Sequence, residues 1–245
     1  MLGMRVLIIS DVHANLPALE AVLQDARPFD AVWCLGDLVG YGPDPNECVD
    51  RVRSMPNLIC LIGNHDQAAL GMIPLSRFNE DARSIAVWTS QMLSSENAAF
   101  LGGLPTYCVA ESFTLAHGSP RQPVWEYILD LRSADYNFEA FKTDYCLVGH
   151  SHLPLVFHRP HENGRVHLLP LPIGHAFPLT PRMILNPGSV GQPRDNDPRA
   201  AFALADLDAG TWEPRRVAYD VTGVQLRILQ AGLPERQAVR LTTGW

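Results

Sequence analysis

The stretch Val6-Leu7-Ile8-Ile9-Ser10-Asp11-Val12-His13 places an acid and an imidazole directly after four consecutive apolar residues. A short, continuous apolar run is typical of a strand that is buried on both faces. Alternate residues of an extended chain share a side, so Asp11 and His13 can point into one cavity. The stretch therefore predicts a buried strand that delivers two metal-binding side chains at its end.

Four further clusters of polar residues follow the same layout. The apolar runs at 32–35, 58–62 and 145–148 each end at such a cluster, and another cluster begins at residue 117. Because parallel strands run the same way, side chains at their ends converge although they are scattered in sequence. The clusters are Gly36-Asp37, Gly63-Asn64-His65-Asp66, His117-Gly118 and Gly149-His150-Ser151-His152.

The segments between the first clusters have the pattern of helices. Apolar residues in 16–23 recur at helical spacing, and Pro45 suits the first turn of a helix that opens at Asp44. The pattern at 79–101 predicts two helices with a break near Ser94. Strands and helices in the order βαβαβ predict a parallel sheet with right-handed crossovers.

The pattern changes after Gly149, where short apolar segments are divided by Pro, Gly and an Asn163-Gly164 turn. This half is predicted as a β-rich meander that forms a second, mixed sheet packed on the first, with helices outside both. Residues 221–231 predict a final amphipathic helix, and we expect the remaining tail to be an edge segment. We expect one α/β domain over residues 1–245, since α/β folds of this size often close as one.

The composition excludes several classes of protein. The 245 residues are 47% hydrophobic and 18% charged, which is enough for a sizeable core. A net charge of −7, with dispersed Lys and Arg, disfavours extended nucleic-acid binding. Five cysteines without a close pair argue against a disulfide framework or a thiolate metal site. Strand-sized apolar runs and an N-terminus without a signal-peptide pattern predict a cytoplasmic protein with no membrane span.

The residue types in the clusters are those that bind divalent transition metals. Each residue alone would more often be a helix cap or a hydrogen-bonded core side chain, but five such clusters together favour a metal site. A carboxylate can bridge two cations, so Asp37 is our candidate for a ligand shared by two ions. The predicted metal ligands are Asp11, His13, Asp37, Asn64, His117, His150 and His152.

Two divalent cations outweigh the carboxylates of Asp11 and Asp37, so the predicted pocket is positive and attracts phosphate. Two ions about 4 Å apart can hold a bridging hydroxide as nucleophile and clamp phosphoryl oxygens for in-line displacement. His65 follows Asn64 and is predicted to face the phosphate on its leaving-group side, as a hydrogen-bond donor or general acid. Asp66 or Asp37 can orient this ring and raise its pKa. The alternative is His65 as a further imidazole ligand of a metal.

The ordered set of these clusters, together with Tyr41-Gly42, resembles the calcineurin-like metallophosphoesterase signature over roughly residues 4 to 152. The resemblance implies a four-layer α/β/β/α sandwich with two mixed β-sheets, flanking helices and metals at the strand ends. It further implies that the first metal takes Asp11, His13, Asp37 and His152, and the second takes Asp37, Asn64, His117 and His150. Residues 40–45 and 186–191 resemble the small bacterial and archaeal phosphodiesterase-like branch.

The resulting hypothesis is a dinuclear-metal-dependent phosphodiesterase that acts on a small phosphorylated substrate. The alternatives are a phosphomonoesterase, a nucleotide pyrophosphatase, or a non-catalytic, metal-stabilised binding module. The ligand set suits Mn, Fe, Zn, Ni or Co, and we expect Mn. The oligomeric state stays open.

Several residues outside the clusters have weaker signals. Tyr41 and Arg194 can either touch the substrate or pack elsewhere. Residues 186–191 are predicted as a plain turn, with the alternative that their backbone N–H groups line the pocket. We expect the remaining histidines at the surface; they are His158, His161, His167 and His175.

Overall fold

Two six-stranded sheets form in the part of the chain that the computed structural model describes, residues 4–162 and 164–245. Residues 1–3 and Asn163 of the predicted turn lie outside the described residues. The strands are β1 Arg5–Ile9, β2 Ala31–Cys34, β3 Ile59–Cys60, β4 Tyr107–Ala110, β5 Phe113–Ala116, β6 Tyr145–Leu147, β7 Pro154–His158, β8 His167–Leu168, β9 Phe177–Pro178, β10 Met183–Pro187, β11 Ala200–Asp206 and β12 Thr211–Val217.

Several helices begin at residues whose side chains cap the first turn. The side chains of Asn15, Asn79 and Ser94 each accept a backbone N–H in the first turn of a helix. Ser94 thus separates the two helices predicted within 79–101. The helices are α1 Leu16–Asp25, α2 Pro45–Arg53, α3 Asn64–Ala69, α4 Glu80–Met92, α5 Ser95–Gly102, α6 Leu131–Phe138, α7 Val221–Gln230 and α8 Glu235–Thr243.

The predicted βαβαβ unit forms one half of the first sheet. Strand β1 pairs in parallel with β2, and β2 pairs in parallel with β3. The full order of this sheet is β3-β2-β1-β11-β12-β9, and the second sheet has the order β4-β5-β6-β10-β7-β8. Both sheets mix parallel and antiparallel pairs.

Alternate residues of β1 divide the core into layers. Val6 and Ile8 belong to an apolar cluster with Leu147 and Leu185 of the second sheet, so they face between the sheets. Leu7 and Ile9 belong instead to the cluster that includes the buried face of α1. On the far side of the second sheet, α6 packs its own cluster. The predicted four-layer α/β/β/α sandwich is confirmed.

The predicted membership of the second sheet was wrong. The strands after Gly149 do not form a sheet of their own, because β11, β12 and β9 join β1 while β7, β8 and β10 join β6. The reason lies in β11, whose residues from 200 to 205 are all buried. A strand that is apolar on both faces has to be buried on both faces, and pairing with the edge of β1 places β11 in the middle of the first sheet.

The prediction of an edge segment after residue 231 was also wrong. That tail forms α8, which packs on α7 through Ala238 and Leu241. The buried residues of α8 lie on one helix face, but the helix has so few apolar residues that the sequence did not indicate this pattern. None of the helices in the described residues is long and apolar enough to cross a membrane.

Because β1 lies in the middle of the first sheet, we expect a Leu→Ala substitution on β1 to destabilise the protein much more than one at an exposed position of α7. Leu7 is fully buried, so Leu7→Ala should lower the free energy of unfolding by about 2–5 kcal/mol. Leu226 on α7 is 55% exposed, and Leu226→Ala should change it by less than about 0.5 kcal/mol. Urea unfolding with a chelator present measures both without a contribution from bound metal. Equal losses would contradict the assigned core.

Candidate metal centre

The structure brings the predicted metal ligands into two adjoining buried clusters. The ligand atoms of Asp11, His13 and His152 all lie within 4.8 Å of one another. Those of Asp37, His117 and His150 form a second group with the same limit. The seventh predicted ligand joins the second group, since Asn64 Oδ1 lies 3.1 Å from His117 Nε2.

Backbone hydrogen bonds hold the ligand-bearing loops against one another. The amide of Asp11 donates to the carbonyl of Gly36 at 3.0 Å, and that of His13 donates to the carbonyl of Asp37 at 3.0 Å. In the second sheet the amide of Gly149 donates to the carbonyl of His117 at 2.8 Å. The first cluster of the sequence is thereby held against the second, and the fourth against the fifth.

The backbone is strained at the ligands themselves. Non-glycine residues adopt a left-handed φ at a cost, and such residues concentrate where the surrounding structure imposes the conformation for function. Five of the seven predicted ligands have φ between 49° and 63°. These residues are Asp11, His13, Asp37, His150 and His152.

Three imidazoles are oriented by backbone carbonyls that the sequence analysis did not identify. His13 Nδ1 lies 3.0 Å from the carbonyl of Val39, and His117 Nδ1 lies 2.9 Å from that of Leu35. His152 Nδ1 lies 2.6 Å from the carbonyl of Gln192. A carbonyl only accepts, so each Nδ1 carries a proton, and in the neutral ring the Nε2 presents a lone pair. Every residue has a carbonyl, so no residue type could have signalled these partners.

The donor set fits cations. The Nε2 atoms of His13 and His152 are 3.0 Å apart, and with both protons on Nδ1 their lone pairs repel unless a positive charge lies beside them. Within residues 4–162 and 164–245, three buried polar atoms of the clusters also have no hydrogen-bond partner. They are Asp11 Oδ1, Asp37 Oδ2 and His150 Nε2. The set of nitrogen and oxygen ligands suits two divalent ions.

Asp37 connects the two clusters through one oxygen. Its Oδ1 accepts the backbone N–H of His65 at 2.9 Å. Its Oδ2 lies 3.3 Å from His117 Nε2 and 3.7 Å from His13 Nε2. This single oxygen therefore faces the ligand atoms of both clusters, as a bridging ligand requires.

Burial dominates the electrostatics of the centre. It lowers the pKa of His150 to about 3 and holds those of His13 and His152 well below the usual range, so these rings are neutral ligands at pH 7. At His117 burial is outweighed by the Asp37 carboxylate, and the pKa rises to about 9. The Asp37 carboxylate thus draws positive charge into the second cluster.

Asp66 does not orient the His65 ring. Its carboxylate accepts backbone N–H groups from Asp37 and Gly63 at 2.9 Å and from Val39 at 3.0 Å. Both of its oxygens are used, so Asp66 ties the loop after β2 to the start of α3. Of the two residues predicted as alternatives for orienting that imidazole, Asp66 or Asp37, Asp66 does not do so, because these amides take its carboxylate.

The His65 ring is held by aromatic packing. Its centroid lies 4.4 Å from that of Tyr41, 5.2 Å from that of Phe78 and 5.0 Å from that of His13. Burial lowers the pKa of His65 to about 4, which is opposite to the expected rise. His65 therefore lies beside the centre as a neutral ring.

Tyr41 and Arg194 meet at the edge of the centre. Arg194 donates to the hydroxyl of Tyr41 at 3.4 Å and to Gln192 Oε1 at 3.0 Å. Residues 186–187 of the predicted turn end strand β10, and the segment that follows lies behind the first cluster, where the amides of Val190 and Gly191 donate to the carbonyls of Ser10 and Asp11. These two N–H groups are thus not free to bind a ligand.

The four remaining histidines lie outside both clusters. His158 is half-buried, and His161, His167 and His175 are exposed. Sequence reasoning missed Tyr127, whose ring stacks on His150 with centroids 3.9 Å apart.

Two clusters of histidine and carboxylate side chains at the strand ends of this fold could each hold a divalent metal ion. The chain belongs to the calcineurin-like phosphoesterase superfamily, whose domain matches residues 4–210. It is 46% identical in sequence to a metallophosphoesterase from Sphaerobacter thermophilus, whose crystal structure superposes with a TM-score of 0.89 over 99% of this chain and 100% of that one. It is 35% identical to protein MJ0912 of Methanocaldococcus jannaschii over the whole of both chains.

A shorter similarity links the chain to another group of enzymes. It is 36% identical over 67 residues to the symmetrical bis(5'-nucleosyl)-tetraphosphatase of Erwinia tasmaniensis. The match covers 26% of this chain and 24% of that enzyme.

The backbone at Gly63 passes so close to Asp37 that a substitution at residue 63 should weaken metal binding although every ligand is still present. A Cβ at residue 63 would overlap the backbone nitrogen and Oδ1 of Asp37, so Gly63→Ala should displace the shared carboxylate. We expect metal affinity to fall about 10- to 100-fold, as for loss of a supporting contact. Calorimetric titration with Mn²⁺ measures it.

Gly102→Ala is the matched control, because the nearest atom to its added Cβ is Leu70 Cδ1 at 3.8 Å. This variant should bind Mn²⁺ as the parent does. Normal metal affinity in Gly63→Ala would show that the loop after β3 does not hold Asp37 in place.

Proposed function

We propose that this protein is a phosphodiesterase that hydrolyses a small phosphorylated substrate with two divalent metal ions, of which Mn is our first choice. The observation that carries the proposal is the position of Asp37 Oδ2 between the His13 and His117 nitrogens. One oxygen shared by two ligand clusters is suited to a pair of ions close enough to act on the same phosphate.

Each cluster contributes one ligand set. Asp11, His13 and His152 with Asp37 would hold one ion. Asn64, His117 and His150 with Asp37 would hold the other. Two such ions supply an activated water and positive charge for the phosphoryl oxygens. The buried ligands give this chemistry a fixed geometry.

His65 is proposed to act on the leaving-group side. Its ring is next to His13 but is not a member of either ligand cluster. A phosphate beside the buried imidazole favours its charged form, which reverses the effect of burial on its pKa. In that state His65 donates a hydrogen bond to a phosphoryl oxygen or a proton to the departing alkoxide. Asp66 supports this role indirectly, as a positioning residue for the loop that carries Asp37.

A nucleotide pyrophosphatase is the second candidate, and the 67-residue similarity to a symmetrical bis(5'-nucleosyl)-tetraphosphatase favours it. A phosphomonoesterase would use the same ligands. Turnover of the Mn-loaded protein on bis(p-nitrophenyl) phosphate, p-nitrophenyl phosphate and a dinucleoside tetraphosphate separates the three. Preference for the monoester or the tetraphosphate would replace the phosphodiesterase assignment. Metal binding without any hydrolysis would favour a binding module.

The setting of this activity is also proposed. We infer a single domain over residues 1–245 that works in the cytoplasm on a small phosphorylated molecule. The net charge of −7 supports the inference that neither extended nucleic acid nor a membrane surface is its partner.

The role of His65 predicts a loss of turnover without a loss of metal. His65→Ala should reduce kcat on a substrate with a poor leaving group by about 100-fold or more, the usual contribution of a general acid. It should still bind two metal ions, because His65 lies outside both ligand clusters. Kinetics and metal analysis on the same sample measure the two properties.

His167→Ala is the control, since His167 is exposed on β8. It should keep both metal content and kcat. Near-normal turnover of His65→Ala would remove the proposed acid, and loss of one ion would make His65 a metal ligand.

A further inference from the structure

The loop that follows His117 carries two aromatic side chains, of which one contacts a predicted metal ligand. Tyr127 stacks on His150 with an interplanar angle of 15°. Trp125 contacts the ring of Phe78, with centroids 5.5 Å apart. The intervening Glu126 is engaged elsewhere. The loop thus places Tyr127 against His150 and Trp125 against Phe78, whose ring packs on His65.

Hydrogen bonds fix the shape of this loop. Glu126 Oε2 accepts from the hydroxyl of Ser119 at 2.6 Å and from the side-chain amide of Asn137 at 3.0 Å. Gly118 lies so close that an added Cβ would be 3.0 Å from the nitrogen of Trp125. The aromatic rings are therefore presented by a preorganised segment, as a binding surface requires.

Phe78 joins these rings to the catalytic side of the centre. Its ring is 5.2 Å from that of His65 and 5.5 Å from that of Trp125. A row of rings thus runs from His65, on the proposed leaving-group side, through Phe78 to Trp125. We call Phe78, Trp125 and Tyr127 the aromatic shelf.

The aromatic shelf is open to solvent. Phe78 and Trp125 are only partly buried, and Tyr127 is 45% exposed. The guanidinium of Arg77, an exposed residue, lies over the Trp125 ring with its Cζ 4.8 Å from the centroid. The planar guanidinium of Arg77 thus already covers one face of Trp125. Because Arg77 is exposed, it can move away so that another planar group occupies that face.

We propose that the aromatic shelf binds the base of a nucleotide whose phosphate lies at the metal centre. This inference rests on the proposed function, which supplies the phosphate end of the site. Bases stack on aromatic side chains with little preference among them, and a partly exposed row of rings beside a phosphate site is suited to that contact. The substrate class is then a nucleoside phosphoester, and Trp125 is a specificity-determining residue.

Adenosine monophosphate and ribose 5-phosphate test this assignment, because they share a sugar phosphate and differ in the base. Titration calorimetry on Mn-loaded protein should give a Kd for adenosine monophosphate about 10-fold or more below that for ribose 5-phosphate. Trp125→Ala should abolish this preference and leave the Kd for ribose 5-phosphate unchanged. Trp125→Phe, which retains a ring, should keep most of it. Turnover of bis(p-nitrophenyl) phosphate by the same samples shows whether the protein hydrolyses a phosphodiester.

Trp245→Ala is the matched control, since Trp245 is 69% exposed at the end of the chain and should not affect either ligand. Equal binding of the two ligands by the parent protein would overturn the proposal. So would equal weakening of both in Trp125→Ala, which would make Trp125 a packing residue. Base preference without hydrolysis of any phosphoester would leave the aromatic shelf standing and refute the proposed function, and hydrolysis without base preference would do the reverse.

Discussion

The concentration of unpaired acceptor atoms in a buried space is the constraint on which this structure depends. Asp37 Oδ2 and Asp11 Oδ1 face imidazole nitrogens, and neither oxygen has a hydrogen-bond partner within residues 4–162 and 164–245. Burying charged carboxylates without compensation is costly, and a cation shared among the ligands removes that cost. The strained backbone at His13 and at His152 serves the same arrangement.

The fold delivers these atoms from two sheets. Strands β1, β2 and β3 bring Asp11, Asp37 and Asn64, while β5 and β6 lead to His117 and His150. The apolar layer between the sheets fixes the distance between the two groups. Because metal binding and the docking of the sheets depend on one another, cations are expected to stabilise the folded state.

The metal ligands could be predicted from the sequence because each lies within five residues of the end of a strand, as in Asp11-Val12-His13. The arrangement of the two sheets could not be predicted in this way. Strand β11 pairs with β1 across almost two hundred positions of sequence, and this pairing depends on which strand edge remains unpaired after the other strands have formed. The carbonyl of Gln192 that orients His152 has no sequence signal. The contact of Phe78 with Trp125 likewise arises only when two distant loops meet.

Asp37 Oδ2 faces both ligand clusters, and Oδ1 of the same carboxylate accepts the backbone N–H of His65. The proposed two-metal chemistry depends on this carboxylate. The most direct test of this dependence is electron paramagnetic resonance of the protein loaded with Mn²⁺, together with metal analysis. Two ions joined through one carboxylate are magnetically coupled, so we predict two Mn²⁺ ions per chain and an exchange-coupled spectrum. A single ion per chain, or two ions with the spectrum of isolated Mn²⁺, would contradict the account.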